Sequence, residues 1–265
     1  MSCTLSYGVR ITSYRLFMSH SIPPALPTAL TQIRARIAEA AVRAGRAADA
    51  VTLLAVSKTH PPELIEQAWA AGQYAFGENR AEEAWAKFAD PATAAGFAYR
   101  AAQATPPKLH LIGPIQSRKA ALAVACRPAL IHSVDRLKIA ARLDQAAAEA
   151  DVTLAVLLEV NVGGEASKAG FAPAELVAAA AAILALPRLR VHGLMTIPPY
   201  TDDPNAARPY FARLRHLRDQ LAAAYPQAEW QQLSMGMSHD FEAAITEGAT
   251  IVRVGTAIFG ERVKK

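Results

Sequence analysis

Eight times along this chain a short run of aliphatic and β-branched residues gives way to a longer, mostly alanine-rich run with helical spacing, and no low-complexity linker interrupts the alternation. Strands that alternate with helices pair in parallel, and strands that are apolar throughout are covered on both faces. Eight such units in about 250 residues predict a single closed (β/α)8 TIM barrel of the α/β class. A doubly wound open sheet is the structural alternative. It usually carries a glycine-rich turn after its first strand, and that turn reads Ser57-Lys58-Thr59 here.

The expected strands are Val51–Val56, Tyr74–Phe76, Lys108–Ile112, Leu130–Val134, Leu154–Val160, Leu189–Met195, Trp230–Leu233 and Thr250–Val254. A leading helix is expected over Leu26–Arg46. The helices that follow the strands are expected over Pro61–Ala71, Glu78–Phe88, Ser117–Cys126, Arg136–Glu149 with Asp135 as its N-cap, Pro173–Leu186, Pro204–Ala224 and Phe241–Glu247, with a short one from Thr256.

Composition narrows the function classes. Hydrophobic residues make up 52% of the chain and aromatics only 7%, and much of the apolar count is alanine, which favours helices over a β-sandwich. The 28 Lys and Arg against 23 Asp and Glu leave a net charge of +5. The densest basic stretch, Arg213, Arg215 and Arg218, lies on an amphipathic helix and reads as a solvated face, so no nucleic-acid partner is implied, although a basic surface suits an anionic ligand. Cys3 and Cys126 cannot build a disulfide framework or a zinc site, which fits a reducing, cytoplasmic setting. The longest apolar stretch, Leu176–Leu186, ends at Pro187 and falls short of the roughly 18 residues a membrane helix needs. Residues Met1–Ser21 read as a disordered tail or an over-extended start, with Met18 as an alternative initiator, and 22–265 as the barrel.

In a barrel of this kind the chemistry sits in the loops at the C-terminal ends of the strands. Lys58 follows the apolar run Leu53-Leu54-Ala55-Val56 almost directly, after Ser57, and sits at or inside the rim. A lysine there is either a nucleophile for aldehydes, activated by desolvation, or a side chain that reaches out to solvent. The loops after the last two strands carry Ser234, Gly236, Ser238, Gly255 and Thr256, small residues that suit a phosphate cradle but are also ordinary turn residues. Arg253 lies inside an apolar strand. It has to meet a ring nitrogen of a ligand, a carboxylate in the barrel, or solvent on the outside. His110, His132 and His192 fall on three strands without a metal-ligand spacing, and no metal is expected. Ser238-His239-Asp240 has the residue types of a hydrolytic triad, but adjacent residues rarely point at one another as a triad requires.

The motifs LLAVSKTH, GENRAEE, HLIGPIQSRK, IHSVDR, VNVGGEASKAG, GLMTIPP, LSMGMSHDFEAAI and VRVGTAIFGER resemble those of the pyridoxal-phosphate homeostasis proteins, from about Leu26 to Arg262. The resemblance implies a barrel similar to the N-terminal domain of alanine racemase that binds pyridoxal 5′-phosphate (PLP). It implies a Schiff base on Lys58, phosphate contacts from Ser234, Gly255 and Thr256, Arg253 facing the pyridine nitrogen, and Asn79 as a further pocket residue. Two positions depart from the family pattern: Arg118 stands where asparagine is usual, and His239 where aspartate is usual.

The expected role is to hold PLP and supply it to apo-enzymes, with no catalytic residue assigned. The chain closes at Lys265 just after the eighth unit, without the second domain that completes the racemase site, and an arginine at the ring nitrogen keeps the cofactor a weak electron sink. A PLP-dependent amino-acid racemase with a weak or unusual substrate is the alternative. A class I aldolase using Lys58 on a phosphorylated sugar shares the lysine-and-phosphate logic without the resemblance. The loop Gly163–Gly170, carrying Lys168, is the expected gate for PLP release.

Overall fold

The eight apolar runs form eight parallel strands that pair in chain order, and β1 closes on β8, so the sheet is a barrel and not an open doubly wound sheet. The structure, a computed structural model, describes residues 26–89 and 105–261; the tail expected over 1–21 lies outside them. Among the described residues the order is α1 (Leu26–Arg43), β1 (Thr52–Val56), α2 (Pro62–Ala70), β2 (Ala75–Glu78), α3 (Ala81–Ala84), β3 (Lys108–Leu111), α4 (Ala120–Ala125), β4 (Leu130–Val134) and α5 (Leu137–Glu149). It continues with β5 (Leu154–Glu159), α6 (Leu176–Leu184), β6 (Leu189–Met195), α7 (Arg208–Ala224), β7 (Gln232–Met237), α8 (Phe241–Thr246), β8 (Ile251–Val254) and α9 (Thr256–Phe259).

Alternation along each strand divides the core in two. Leu54, Val56, Ala75, Ile112, Leu130, Leu157, Met195 and Ile251 fill the barrel itself. Leu53, Ala55, Phe76, Leu109, Ile131, Val156, Leu233 and Val252 point the other way and pack under the helices. Burying a leucine or isoleucine stabilises by about 1.5–3 kcal/mol, so this outer layer is what fixes the helices on the sheet. Helix α1, which precedes the first strand, packs against α2, α8 and the short α9 and so covers the seam where the barrel closes.

Several boundaries differ from the sequence reading, and the differences bear on the site. The second strand runs to Glu78, and the helix expected over Glu78–Phe88 is only the four residues of α3 followed by a widened (π) turn, Trp85–Ala89. The seventh strand runs over Gln232–Met237, so Ser234 lies in a strand and not in the loop after it. Its register shifts between Ser234 and Met237, and Gly236 there has φ +89°, a conformation side-chain-bearing residues rarely adopt. A Cβ on Gly236 would also lie 2.6 Å from the Ala244 Cβ. Asp135 does not cap α5: the N-cap position is Arg136, and the Asp135 carboxylate accepts two hydrogen bonds from the Arg136 guanidinium instead.

Arg213, Arg215 and Arg218 spend their guanidinium groups on this chain, on the Val162 carbonyl, Glu247 and the Trp230 carbonyl. No helix among the described residues is long and apolar enough to cross a membrane.

Candidate functional site

Strand pairing puts Lys58 and Arg253 on neighbouring strands of the barrel, Lys58 just past the end of β1 and Arg253 within β8. Leu54 pairs with Arg253 and Ala55 with Val254 on β1 and β8. Leu54 and Val56 both face the barrel interior, and Lys58 follows two residues after Val56 with the same parity. Lys58 is half-buried. On the other side, Val56 pairs with Gly77, so Asn79 comes next to Lys58 where β2 ends. Gly255 follows β8 close against β1: a Cβ on it would lie 3.2 Å from the Val56 carbonyl oxygen, closer than a side chain packs comfortably. Thr256 opens α9 and is exposed at the rim.

Arg253 is buried, and burial lowers its pKa to about 10 although Glu159 and Asp240 nearby favour the charge. It points into the barrel and not to solvent. Nη1 donates to the Ser234 hydroxyl at 2.7 Å and Nη2 to the Thr196 carbonyl at 2.8 Å, while its Nε–H has no acceptor among the described residues. A buried guanidinium held from one side, with a donor left over, fits a ring-nitrogen acceptor at the mouth.

Ser234 is fully buried below Arg253, and its hydroxyl also meets His132 Nδ1 at 2.8 Å. It lies within β7, below the rim. The hydroxyl that belongs to the rim is that of Ser238, which accepts the Gly255 N–H at 3.3 Å. Both serines lie in the stretch that the sequence reads as one loop; the choice between them depends on where β7 ends.

Of the three strand histidines, His110 and His132 meet inside the barrel, Nδ1 to Nε2 at 2.9 Å, and His192 pairs outside with Glu229 at 2.8 Å. They do not converge on a common point, and no group of three His, Cys, Asp or Glu among the described residues could hold a metal ion. Burial drives His110 down to about 4 and His132 well below its ordinary range. Glu159, at the end of β5, has its pKa raised to about 7, first by burial and then by Asp135, with Arg253 opposing. Glu159 does not stand out in the sequence, and the strand histidines show there without their pairing, because a strand's polar residue declares its neighbours only once the register is known.

The loop expected to act as a gate is fastened at several points. Lys168 donates to the Pro198 carbonyl at 2.9 Å and pairs with Glu165, and Asn161 donates to the Glu165 carbonyl at 2.8 Å. The departing residue His239 stacks on exposed Tyr200 at 5.8 Å between ring centroids. The other, Arg118, lines an open cavity of about 640 Å³ with Asn79, Arg80, Gly113, Pro114 and Gln116.

A closed parallel barrel with a lysine at the end of its first strand and a buried arginine on its eighth defines a class, and residues 29–263 match the alanine racemase N-terminal domain family. The chain belongs, within it, to the family of the pyridoxal phosphate homeostasis proteins. It is 44% identical to the member from Aquifex aeolicus over 88% of this chain and 96% of that protein. It is 48% identical to the Pseudomonas aeruginosa member over 88% and 94%. Among solved structures it resembles PipY of Synechococcus elongatus with PLP bound, at 36% identity and TM-score 0.74, over 89% of this chain and 100% of that one. An alanine racemase from Corynebacterium glutamicum, 18% identical with TM-score 0.59, shares the fold. These homeostasis relatives are not named as enzymes.

Proposed function

We propose that this chain binds PLP at the rim formed by β7, β8 and β1, holds it covalently through Lys58, and hands it to apo-enzymes that require it. The observation that supports the reading is the pairing of β1 with β8: Lys58 follows the end of one strand, buried Arg253 lies within the other, and the Gly255–Thr256 turn and the Ser238 hydroxyl lie at the rim between them. When bound, PLP supplies an aldehyde that condenses with a lysine amine, releasing water. Lys58 provides that amine. The backbone N–H of Thr256 and the hydroxyls of Ser238 and Thr256 form the phosphate cradle, with the Gly255 N–H orienting Ser238, and Asn79 lines the pocket beside Lys58. Ser234 supports Arg253 instead of touching phosphate.

Arg253 sets the chemistry. Its Nε–H is a permanent donor, so it leaves the pyridine nitrogen unprotonated and the ring a weak electron sink. That suits storage better than turnover. The buried free thiol of Cys126, its pKa pushed up to about 12 by burial, accords with a reducing, cytoplasmic setting.

The test is transfer against turnover. Protein loaded with PLP should restore an apo-enzyme while showing no sustained α-proton exchange on single L-amino acids. Sustained exchange that Lys58→Ala abolishes would assign the chain to the racemases instead.

A further inference from the structure

The backbone on both sides of Lys58 is gripped by one buried ionic cluster. Lys87, on the widened turn after α3 and itself buried, donates through Nζ to the Ser57 carbonyl at 2.8 Å, to Glu78 Oε1 at 2.9 Å and to Glu83 Oε1 at 2.6 Å. Glu83 Oε1 in turn accepts the Thr59 N–H at 2.5 Å. Glu78 is fully buried and accepts the Ser57 hydroxyl at 2.7 Å. The carbonyl before Lys58 is thus tied to Lys87 and the amide after it to Glu83, and these two side chains pair with each other.

What the grip holds is a conformation the sequence does not favour. Thr59 has φ +66°, in the left-handed region that a β-branched residue rarely enters. The turn has no glycine to relieve it, since it reads Ser57-Lys58-Thr59-His60. His60 adds a contact on the far side, its ring 5.1 Å from that of Phe259 on α9.

We propose that Glu83 and Lys87 are positioning residues: they hold the strained turn at Thr59 so that the Lys58 amine is aimed into the barrel mouth. The cluster keeps the chain from relaxing out of that turn. Neither residue touches the ligand. The proposal rests on the reading of Lys58 as the residue that bonds PLP, and it adds how that lysine is presented.

The experiment follows, by the visible absorption band, the rate at which added PLP becomes linked to Lys58 in the full chain. Glu83→Ala should slow linkage about tenfold or more, because small errors in aim cost large factors in rate. Glu83→Gln, which keeps an oxygen for the Thr59 N–H, should stay much closer to the parent. Adding Thr59→Gly to Glu83→Ala should recover part of the rate, since glycine accepts a positive φ without strain. That recovery is not expected of a residue that merely supports the fold. In the parent protein the Thr59 amide should resist hydrogen exchange although Thr59 is exposed; this measurement stands even if Glu83→Ala fails to fold. Parent-like linkage in Glu83→Ala, equal slowing with and without Thr59→Gly, or rapid exchange at Thr59 would each overturn the proposal. Linkage that survives Lys58→Ala would instead overturn the underlying site reading, and the proposal with it.

Discussion

Arg253 Nη1 donates to the hydroxyl of Ser234 across 2.7 Å, and this bond begins a hydrogen-bond chain that crosses the barrel. Arginine only donates, so the Ser234 oxygen accepts there, and its O–H is expected to donate to His132 Nδ1, 2.8 Å away. In that arrangement His132 donates through Nε2 to His110 Nδ1 at 2.9 Å. Ser234→Ala removes the link that satisfies both ends, leaving a buried guanidinium N–H and a buried imidazole nitrogen without a partner. The expected cost is about 1–3 kcal/mol in urea unfolding. PLP and unphosphorylated pyridoxal should weaken alike, through a displaced Arg253. Selective loss of PLP alone would return Ser234 to the phosphate.

That arrangement makes both histidines neutral Nε2–H tautomers at pH 7. Histidine ¹⁵N spectra should show this, with His110 titrating only near pH 4. Its folded pKa lies below the ordinary 6.5, so the unfolded chain takes up protons first as pH falls. Stability is therefore full above pH 6.5 and is lost between there and about pH 4, and His132 contributes with the same sign. A doubly protonated His110 at pH 6 would contradict the assignment.

Glu159 pulls the other way. Its folded pKa is raised from 4.5 to about 7, so its folded carboxyl keeps a proton that the unfolded chain releases between those values. That contribution is full below pH 4.5 and is lost as pH rises to about 7. In cofactor-free protein, Glu159→Gln should be more stable than the parent at pH 8 by about 1–3 kcal/mol. Holding one proton across each pH unit of that window is worth about 1.4 kcal/mol, and the loss of a carboxylate beside Arg253 offsets part of the gain. The difference should close below pH 4.5. Equal stability of the two at pH 8 would show that Arg253 neutralises the carboxylate in full.

At the rim the serines part company. Ser238→Ala and Thr256→Ala should each weaken PLP about ten- to a hundredfold, the loss of a hydrogen bond to a charged oxygen, and leave pyridoxal nearly unchanged. Equal weakening of the two ligands by equilibrium titration would remove both hydroxyls from the cradle.

Much of the barrel is legible in the sequence because its signal is periodic. Apolar runs at eight points and helices between them leave few alternatives, and the lysine after Val56 and the arginine within Ile251–Val254 follow directly from those runs. The signal fails where one residue's placement decides the reading. Ser234, Gly236 and Ser238 look like a loop and end the expected strand at Leu233, whereas a register shift lets serine and glycine stay in β7. The segment AEEAWAKFA has helical composition throughout, yet the chain widens at Trp85 and turns Lys87 inward toward Glu78. Glu78, Glu83 and Lys87 carry charges that a sequence assigns to the surface; only the fold shows them under the turn that bears Lys58.

The most direct measurement is the mass of the Lys58 peptide after PLP-loaded protein is reduced with borohydride and digested. One reduced PLP on Lys58, and on no other lysine, is the result expected. An unmodified Lys58 with the label on Lys168 or elsewhere would contradict the site at its centre.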